Sequence, residues 1–358
     1  MINVTRTYLP SFEDYCERIR PLWESGWITN RGVLALELEQ KVKNTLGVSN
    51  LLYVNNGMQA LQIAIKALGL KGEIITTPFS YVATTGAIVW EGCTPVFSDI
   101  EPLTFCIDPS QIEALITPQT SAILATHVFG FPCDVTAIQR IADKYGLKVI
   151  YDGAHAFGAS YEGKSLLSFG DISICSFHAT KLFHTVEGGA IICKDPDMHE
   201  KVRLLHQFGH SYDDYLEIGT NAKVSEFHAA MGLCVLEQVP SILTRRRELF
   251  AAYKLALEGL PVGYPDPHSL EGYNYAYFPI LLKNEKQVLE LLSALKEHSV
   301  NCRRYFYPSL NTLPYVQYQA CPVSEDVASR ILCLPFYPNL SNKELELITD
   351  RISHYFLS

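Results

Sequence analysis

The sequence predicts an α/β fold: a mostly parallel central sheet flanked by helices, followed by a smaller C-terminal α+β domain. Three observations carry this expectation. Short apolar runs alternate with helical segments through the first two thirds of the chain, the pattern of parallel strands joined by crossover helices. A chain of 358 residues is long enough to divide into two domains. The texture then changes near Val239, which divides a large domain over residues 1–238 from a small one over 239–358.

The elements follow in order. Residues 51–54 read as a strand, and 58–68 as a helix with Leu61, Ala64, Ile65 and Leu68 on one face. Residues 73–77 form the next strand, 81–90 a helix and 94–98 a strand. Asp108 caps the helix after it, with Pro109 at the first position, where a missing N–H costs nothing. Strands at 121–126, 148–152, 171–177 and 190–193, with a helix at 135–145, complete the series. Beyond Val239 come a charged helix (241–257), a Pro- and Gly-rich stretch (260–272), a strand (275–282) and helices at 285–298 and 342–356.

Composition excludes several classes. Hydrophobic residues at 48% and charged ones at 19% are ordinary for a soluble globular enzyme. A formal net charge of -9 argues against a nucleic-acid partner. The ten cysteines include no C-x-x-C pair and read as reduced, mostly buried thiols of a cytoplasmic protein. No basic-then-apolar leader opens the chain, and no apolar run reaches membrane-spanning length.

In such sheets the active groups gather outside the carboxyl ends of the strands, and three motifs fall there. Asn56-Gly57-Met58 stands where a strand gives way to a helix, so free backbone amides and the helix dipole offer a place for phosphate. A glycine at such a turn is also common for steric reasons alone. Asp152 ends an apolar run and either caps the next turn or holds a cationic ring nitrogen. Lys181, in Ser176-Phe177-His178-Ala179-Thr180-Lys181, is either a surface lysine or a desolvated amine suited to Schiff-base chemistry. Glu187-Gly188-Gly189 behind it suggests tight backbone packing. An amine, a carboxylate and a phosphate cradle are together what an enzyme of pyridoxal 5'-phosphate (PLP) must supply. Ser176 could add a hydroxyl to the phosphate. His155 could reach the phenolic oxygen, or be a satisfied buried ring.

Other chemistry is weakly signalled. His206 and His210 have the spacing of a helical metal pair, but Gly209 lies between them and no H-E-x-x-H pattern is present, so no metal is expected. There is neither a G-x-S-x-G elbow nor a G-x-G-x-x-G turn after the first strand. Arg245-Arg246-Arg247 reads as a solvated helix face.

Over essentially its whole length the chain resembles the sugar aminotransferases, fold-type-I PLP enzymes that aminate nucleotide-linked keto sugars. Besides the three motifs, the likeness includes Ser25-Gly26-Trp27-Ile28-Thr29, Phe79-Ser80-Tyr81-Val82-Ala83-Thr84 and Gly219-Thr220-Asn221. The resemblance implies that Lys181 is the Schiff-base lysine and proton carrier, that Asp152 pairs with the pyridine nitrogen and that His155 contacts the ring hydroxyl. It further implies that Gly57, Met58 and Ser176 hold the phosphate and that Tyr81 stacks on the ring, with Phe79 the second choice. Asn221 would reach the cofactor of a neighbouring subunit across a homodimer interface. Three positions depart from the family pattern: Met58 replaces a small hydroxyl residue, Lys223 an arginine, and Tyr307-Pro308-Ser309-Leu310-Asn311 a proline-leucine-histidine segment. The implied reaction is ping-pong transamination from L-glutamate to a nucleotide-linked keto sugar. The Lys181 segment and Arg303 to Ser309 are most similar to enzymes making dTDP-4-amino-4,6-dideoxyglucose, which points to dTDP-4-keto-6-deoxyglucose as acceptor. A 3-keto or UDP-linked sugar is the alternative. Relatives that dehydrate sugars carry histidine in place of the lysine, and a non-catalytic PLP-binding protein would be expected to lose Lys181 or Asp152.

Overall fold

The structure is a computed structural model that describes residues 1–267 and 270–357; His268, Ser269 and Ser358, within the expected 239–358 unit, lie outside the described residues. Seven strands form the central sheet: β1 (Asn50–Val54), β2 (Glu73–Thr76), β3 (Thr94–Phe97), β4 (Thr120–Thr126), β5 (Lys148–Asp152), β6 (Ile172–Ser176) and β7 (Gly189–Cys193). Their spatial order is β1-β7-β6-β5-β4-β2-β3. β7 runs antiparallel to both neighbours, and the other pairings are parallel. The buried strands are nearly all apolar, as a sheet covered on both faces requires.

The register matters for function. Asp152 pairs with Thr126 of β4, and Gly189 lies between Val54 and Ser176. The ends of β1, β4, β5 and β6 and the start of β7 therefore form one edge of the sheet. Helices Gly57–Ala67 and Val82–Trp90 leave the same edge, following β1 and β2. Asn56 caps the first of these helices, its Oδ1 accepting from the Gln59 amide at 2.8 Å.

The expected boundary at 238/239 falls inside a continuous helix, Glu226–Ala256, which runs through Pro240. Proline removes one intrahelical bond, but buried residues on both sides of it, Val235, Val239 and Ile242 among them, hold the helix through that point. The helix expected from Ser241 therefore begins well before it, at Glu226. The C-terminal elements share a core of their own, in which Leu249, Phe278, Val288, Leu291, Leu332 and Ile348 pack together. Ile2 joins that core because the N-terminal strand Ile2–Asn3 pairs in parallel with Val300–Asn301. The strand expected over 275–282 is shorter, Pro279–Leu281, and pairs with Ile331–Cys333. Among the described residues no helix is long and apolar enough to cross a membrane.

Candidate active site

Lys181 lies in the turn after β6, where its backbone amide donates to the His178 carbonyl at 2.8 Å. Its side chain lines a cavity with Ala154, His155, Phe157, Ser176 and Tyr277. The Nζ reaches Tyr277 Oη at a long 3.5 Å. Desolvation lowers the amine's pKa, and the nearby Asp152 carboxylate opposes this. A lysine partly stripped of water gives up its proton more readily than one on the surface, as imine chemistry requires.

Asp152 is buried at the end of β5. Its Oδ2 accepts from Thr84 Oγ1 at 2.7 Å and its Oδ1 from the Ala154 amide at 3.0 Å. Burial raises its pKa; the Thr84 hydroxyl, the Ala154 amide and Lys181 pull it back. Each carboxylate oxygen retains accepting capacity for a ring N–H.

His155 is buried and accepts the Phe129 amide on Nδ1 at 3.2 Å. Burial drives its pKa well down, with the Lys181 charge adding to the effect. A neutral ring with Nδ1 accepting carries its proton on Nε2, which makes Nε2 a donor. The ring lies parallel to Phe306, centroids 5.6 Å apart, and meets Tyr277 edge-on. Asn274 Nδ2 donates to the His155 and Phe157 carbonyls at 2.7 and 2.9 Å and thereby pins this turn.

Gly57 opens the helix after β1 against Ser176: a Cβ added to it would lie 3.1 Å from Ser176 Cβ. Among the described residues, no backbone carbonyl or side chain accepts from the Gly57 or Met58 amides. These amides and the Ser176 hydroxyl thus stand together at a helix N-terminus, a site suited to an anion. Met58 is exposed and contributes no side-chain donor. Tyr81, exposed at the N-cap of the helix Val82–Trp90, lies close enough to Lys181 to interact electrostatically. Phe79 is unavailable for stacking, since it is fully buried against Phe105, Phe129 and Phe306.

The residues present fit PLP: an anion cradle narrow enough that a Cβ at Gly57 would crowd Ser176, a buried carboxylate with accepting capacity, a histidine donor and a desolvated amine border one sheet edge. Asn221 does not line the Lys181 cavity of its own chain. It is exposed and bridges Gln207, while the next residue, Ala222, accepts the Asn55 amide at 2.9 Å. Lys223 lies over the Phe208 ring, 4.3 Å from its centroid. The departure at 307–311 has a structural explanation. Asn311 is buried and donates to the Gln319 carbonyl and to Glu325, while Leu310 donates its amide to the Pro78 carbonyl at 2.7 Å. That segment fastens the C-terminal part of the chain to the turn after β2. Sequence reasoning assigned no role to Thr84, Tyr277 or Asn274. Only Thr84 carried a signal, a hydroxyl closing the Phe79–Thr84 motif.

The sequence profile of the DegT/DnrJ/EryC1/StrS aminotransferase family matches residues 12–353. The chain is 42% identical over 361 residues to a dTDP-4-amino-4,6-dideoxy-D-glucose transaminase of Shigella dysenteriae, covering 98% of each. It is 38% identical over 364 residues to an Escherichia coli enzyme of the same name, covering 97% of each. It also matches the crystal structure of DesI in the presence of its TDP-sugar product, with a TM-score of 0.93 and 34% identity, covering 98% of this chain and 92% of that one. The chain belongs to the DegT/DnrJ/EryC1/StrS aminotransferases, enzymes of fold type I that depend on pyridoxal phosphate.

Proposed function

We propose that this aminotransferase moves the amino group of L-glutamate to C4 of dTDP-4-keto-6-deoxyglucose, giving 2-oxoglutarate and dTDP-4-amino-4,6-dideoxyglucose. The observation that carries the reaction type is the meeting of Lys181, Asp152 and the Gly57–Ser176 cradle at one sheet edge. The acceptor rests on the two transaminases of that specificity, which match nearly the full chain.

PLP, when bound, supplies an electron sink that stabilises negative charge at the amino-bearing carbon. The chain's own residues do the rest. The Gly57 and Met58 amides and Ser176 Oγ would hold the phosphate. Asp152 would keep the ring nitrogen protonated, and His155 Nε2 would donate to the phenolic oxygen. Lys181 Nζ, its proton loosened by desolvation, would anchor the cofactor and serve as the base and acid that takes up and returns a proton. Tyr81 covers the ring.

The working unit in this reading is a cytoplasmic homodimer in which Asn221 serves the partner's site. Met58, Trp90 and Ile218 line one groove beside the Gly57 turn, and all three are exposed in the single chain. Covering such apolar surface with a second copy would stabilise both. In the same reading the enzyme supplies deoxyamino sugars for surface polysaccharide such as O-antigen.

The test is mass spectrometry of dTDP-4-keto-6-deoxyglucose incubated with the protein, PLP and L-glutamate. Conversion of the ketone to an amine, with matching 2-oxoglutarate, is the expected outcome. An unchanged sugar alongside glutamate-dependent release of 2-oxoglutarate would discard the acceptor, and no 2-oxoglutarate at all would discard glutamate as donor.

A further inference from the structure

We propose that Thr84, Ser80 and Thr126 form a hydroxyl donor chain that keeps Asp152 ionised and aimed at the cofactor's ring nitrogen, with Thr84 the chief positioning residue. The inference rests on the reading that Asp152 meets that nitrogen. It begins from three contacts. Thr84 Oγ1 lies 2.7 Å from Asp152 Oδ2, Ser80 Oγ lies 2.7 Å from Thr84 Oγ1, and Thr126 Oγ1 lies 3.2 Å from Ser80 Oγ. All four side chains are buried.

The direction of the chain follows from the acceptor at its end. An ionised carboxylate has no proton to give, so Thr84 must donate to it. A hydroxyl has one proton, so Thr84 in turn accepts from Ser80, and Ser80 from Thr126. Each bond polarises the next, and every O–H points its positive end toward Asp152. The chain thus runs from the end of β4, through the turn after β2 and the first turn of the following helix, to the end of β5. It ties the carboxylate to three separate segments of backbone.

The surroundings show why such a device is needed. Burial works against the charge, and the Thr84 hydroxyl is the largest opposing influence, ahead of the Ala154 amide and Lys181. The titratable groups around Asp152 are the Lys181 amine, the Cys175 thiol and two histidines. His155 follows in the same loop, and His127 gives its backbone amide to the Asp152 carbonyl at 3.0 Å. Burial keeps both histidines from charging, so neither supplies a counter-ion at neutral pH. A carboxylate that became protonated would no longer hold the ring nitrogen's proton.

The test is titration of the cofactor-free proteins with PLP, read by fluorescence from about pH 5 to pH 8.5, with circular dichroism to check folding. Thr84→Val should weaken PLP binding about tenfold or more at neutral pH and move upward the pH below which binding fails. Thr84→Ser should restore both. Ser80→Ala should shift both in the same direction by a smaller factor, about threefold, because it acts one bond further away. Wild-type affinity and profile in Thr84→Val would overturn the proposal. So would an equal, pH-independent loss in the Val and Ser variants, which would mark a packing role. Should Thr84→Val fail to fold, an unshifted Ser80→Ala profile would overturn it. If Asp152→Asn binds PLP as the wild type does, the reading of Asp152 itself fails, and that outcome is separate from any result at Thr84.

Discussion

Gly57→Ala tests the cradle through its packing. The added Cβ would lie 3.1 Å from Ser176 Cβ and 3.5 Å from both its Cα and its Oγ. Carbon atoms rest at about 3.5–4.0 Å, so the contact must open by roughly half an ångström. Neither side can swing away, because the nearest atom is a Cβ fixed by the backbone of β6, where Ser176 pairs with Gly189. Overpacking of this kind costs about 1–3 kcal/mol. Replacing a glycine returns about 0.4–1 kcal/mol by restricting the unfolded chain, so the net destabilisation should be about 1 kcal/mol. In a Ser176→Gly background the obstructing Cβ is gone, and Gly57→Ala should change sign and stabilise by about 0.4–1 kcal/mol. Urea unfolding of the four cofactor-free proteins measures the cycle, with an expected coupling of about 1–3 kcal/mol. If Gly57→Ala costs the same in both backgrounds, within about 0.5 kcal/mol, the argument from close approach is wrong.

Three further outcomes follow. Asp152→Asn should weaken PLP binding yet raise the melting temperature of the cofactor-free protein at neutral pH. Because Asp152's folded pKa is raised, its favourable contribution is present only when it is protonated and is lost as pH rises through that value. The variant's advantage should therefore shrink on acidification through that raised value toward the ordinary carboxylate pKa of about 3.9, as thermal unfolding would show. Lys181→Ala should abolish 2-oxoglutarate release and let PLP wash out on gel filtration. Asn311→Ala removes part-buried donors to the Gln319 carbonyl and Glu325 and a buried acceptor for Ser309 Oγ, and should cost about 2–3 kcal/mol in urea unfolding.

Most of the sheet was legible because strands buried on both faces leave uninterrupted apolar runs. The run at 148–152 matches β5 residue for residue. The helix through Pro240 was not legible, since what overrides the proline is packing by residues remote in sequence. The pairing of Ile2 with Val300 leaves no local trace either. At the site, Lys181, Asp152, Ser176 and Gly57 could be read because each sits a few residues from a strand end, where parallel sheets collect function. Thr84 reaches Asp152 across 68 positions and Tyr277 reaches Lys181 across 96, so their roles are products of folding rather than of motif. The irregular segment before Pro279 read as strand because its tyrosines favour strands in general. In the structure they serve the Lys181 cavity and the core beneath it.

The same geometry explains why this edge of the sheet is costly before the cofactor binds. Burial pushes the Lys181 amine toward its neutral form, which suits imine chemistry, and the Asp152 carboxyl toward its own, against the charge that holding a ring nitrogen would ask of it. Lys181 and Asp152 relieve each other only in part, because desolvation outweighs their attraction on both sides. A cationic ring nitrogen brought to Asp152, as proposed, would supply the missing counter-charge at the atom that lacks it. The hydroxyl chain through Thr84 bridges the interval, holding the carboxylate ionised until that partner arrives. The strain here is electrostatic, and it makes the folded protein itself a source of affinity for its cofactor.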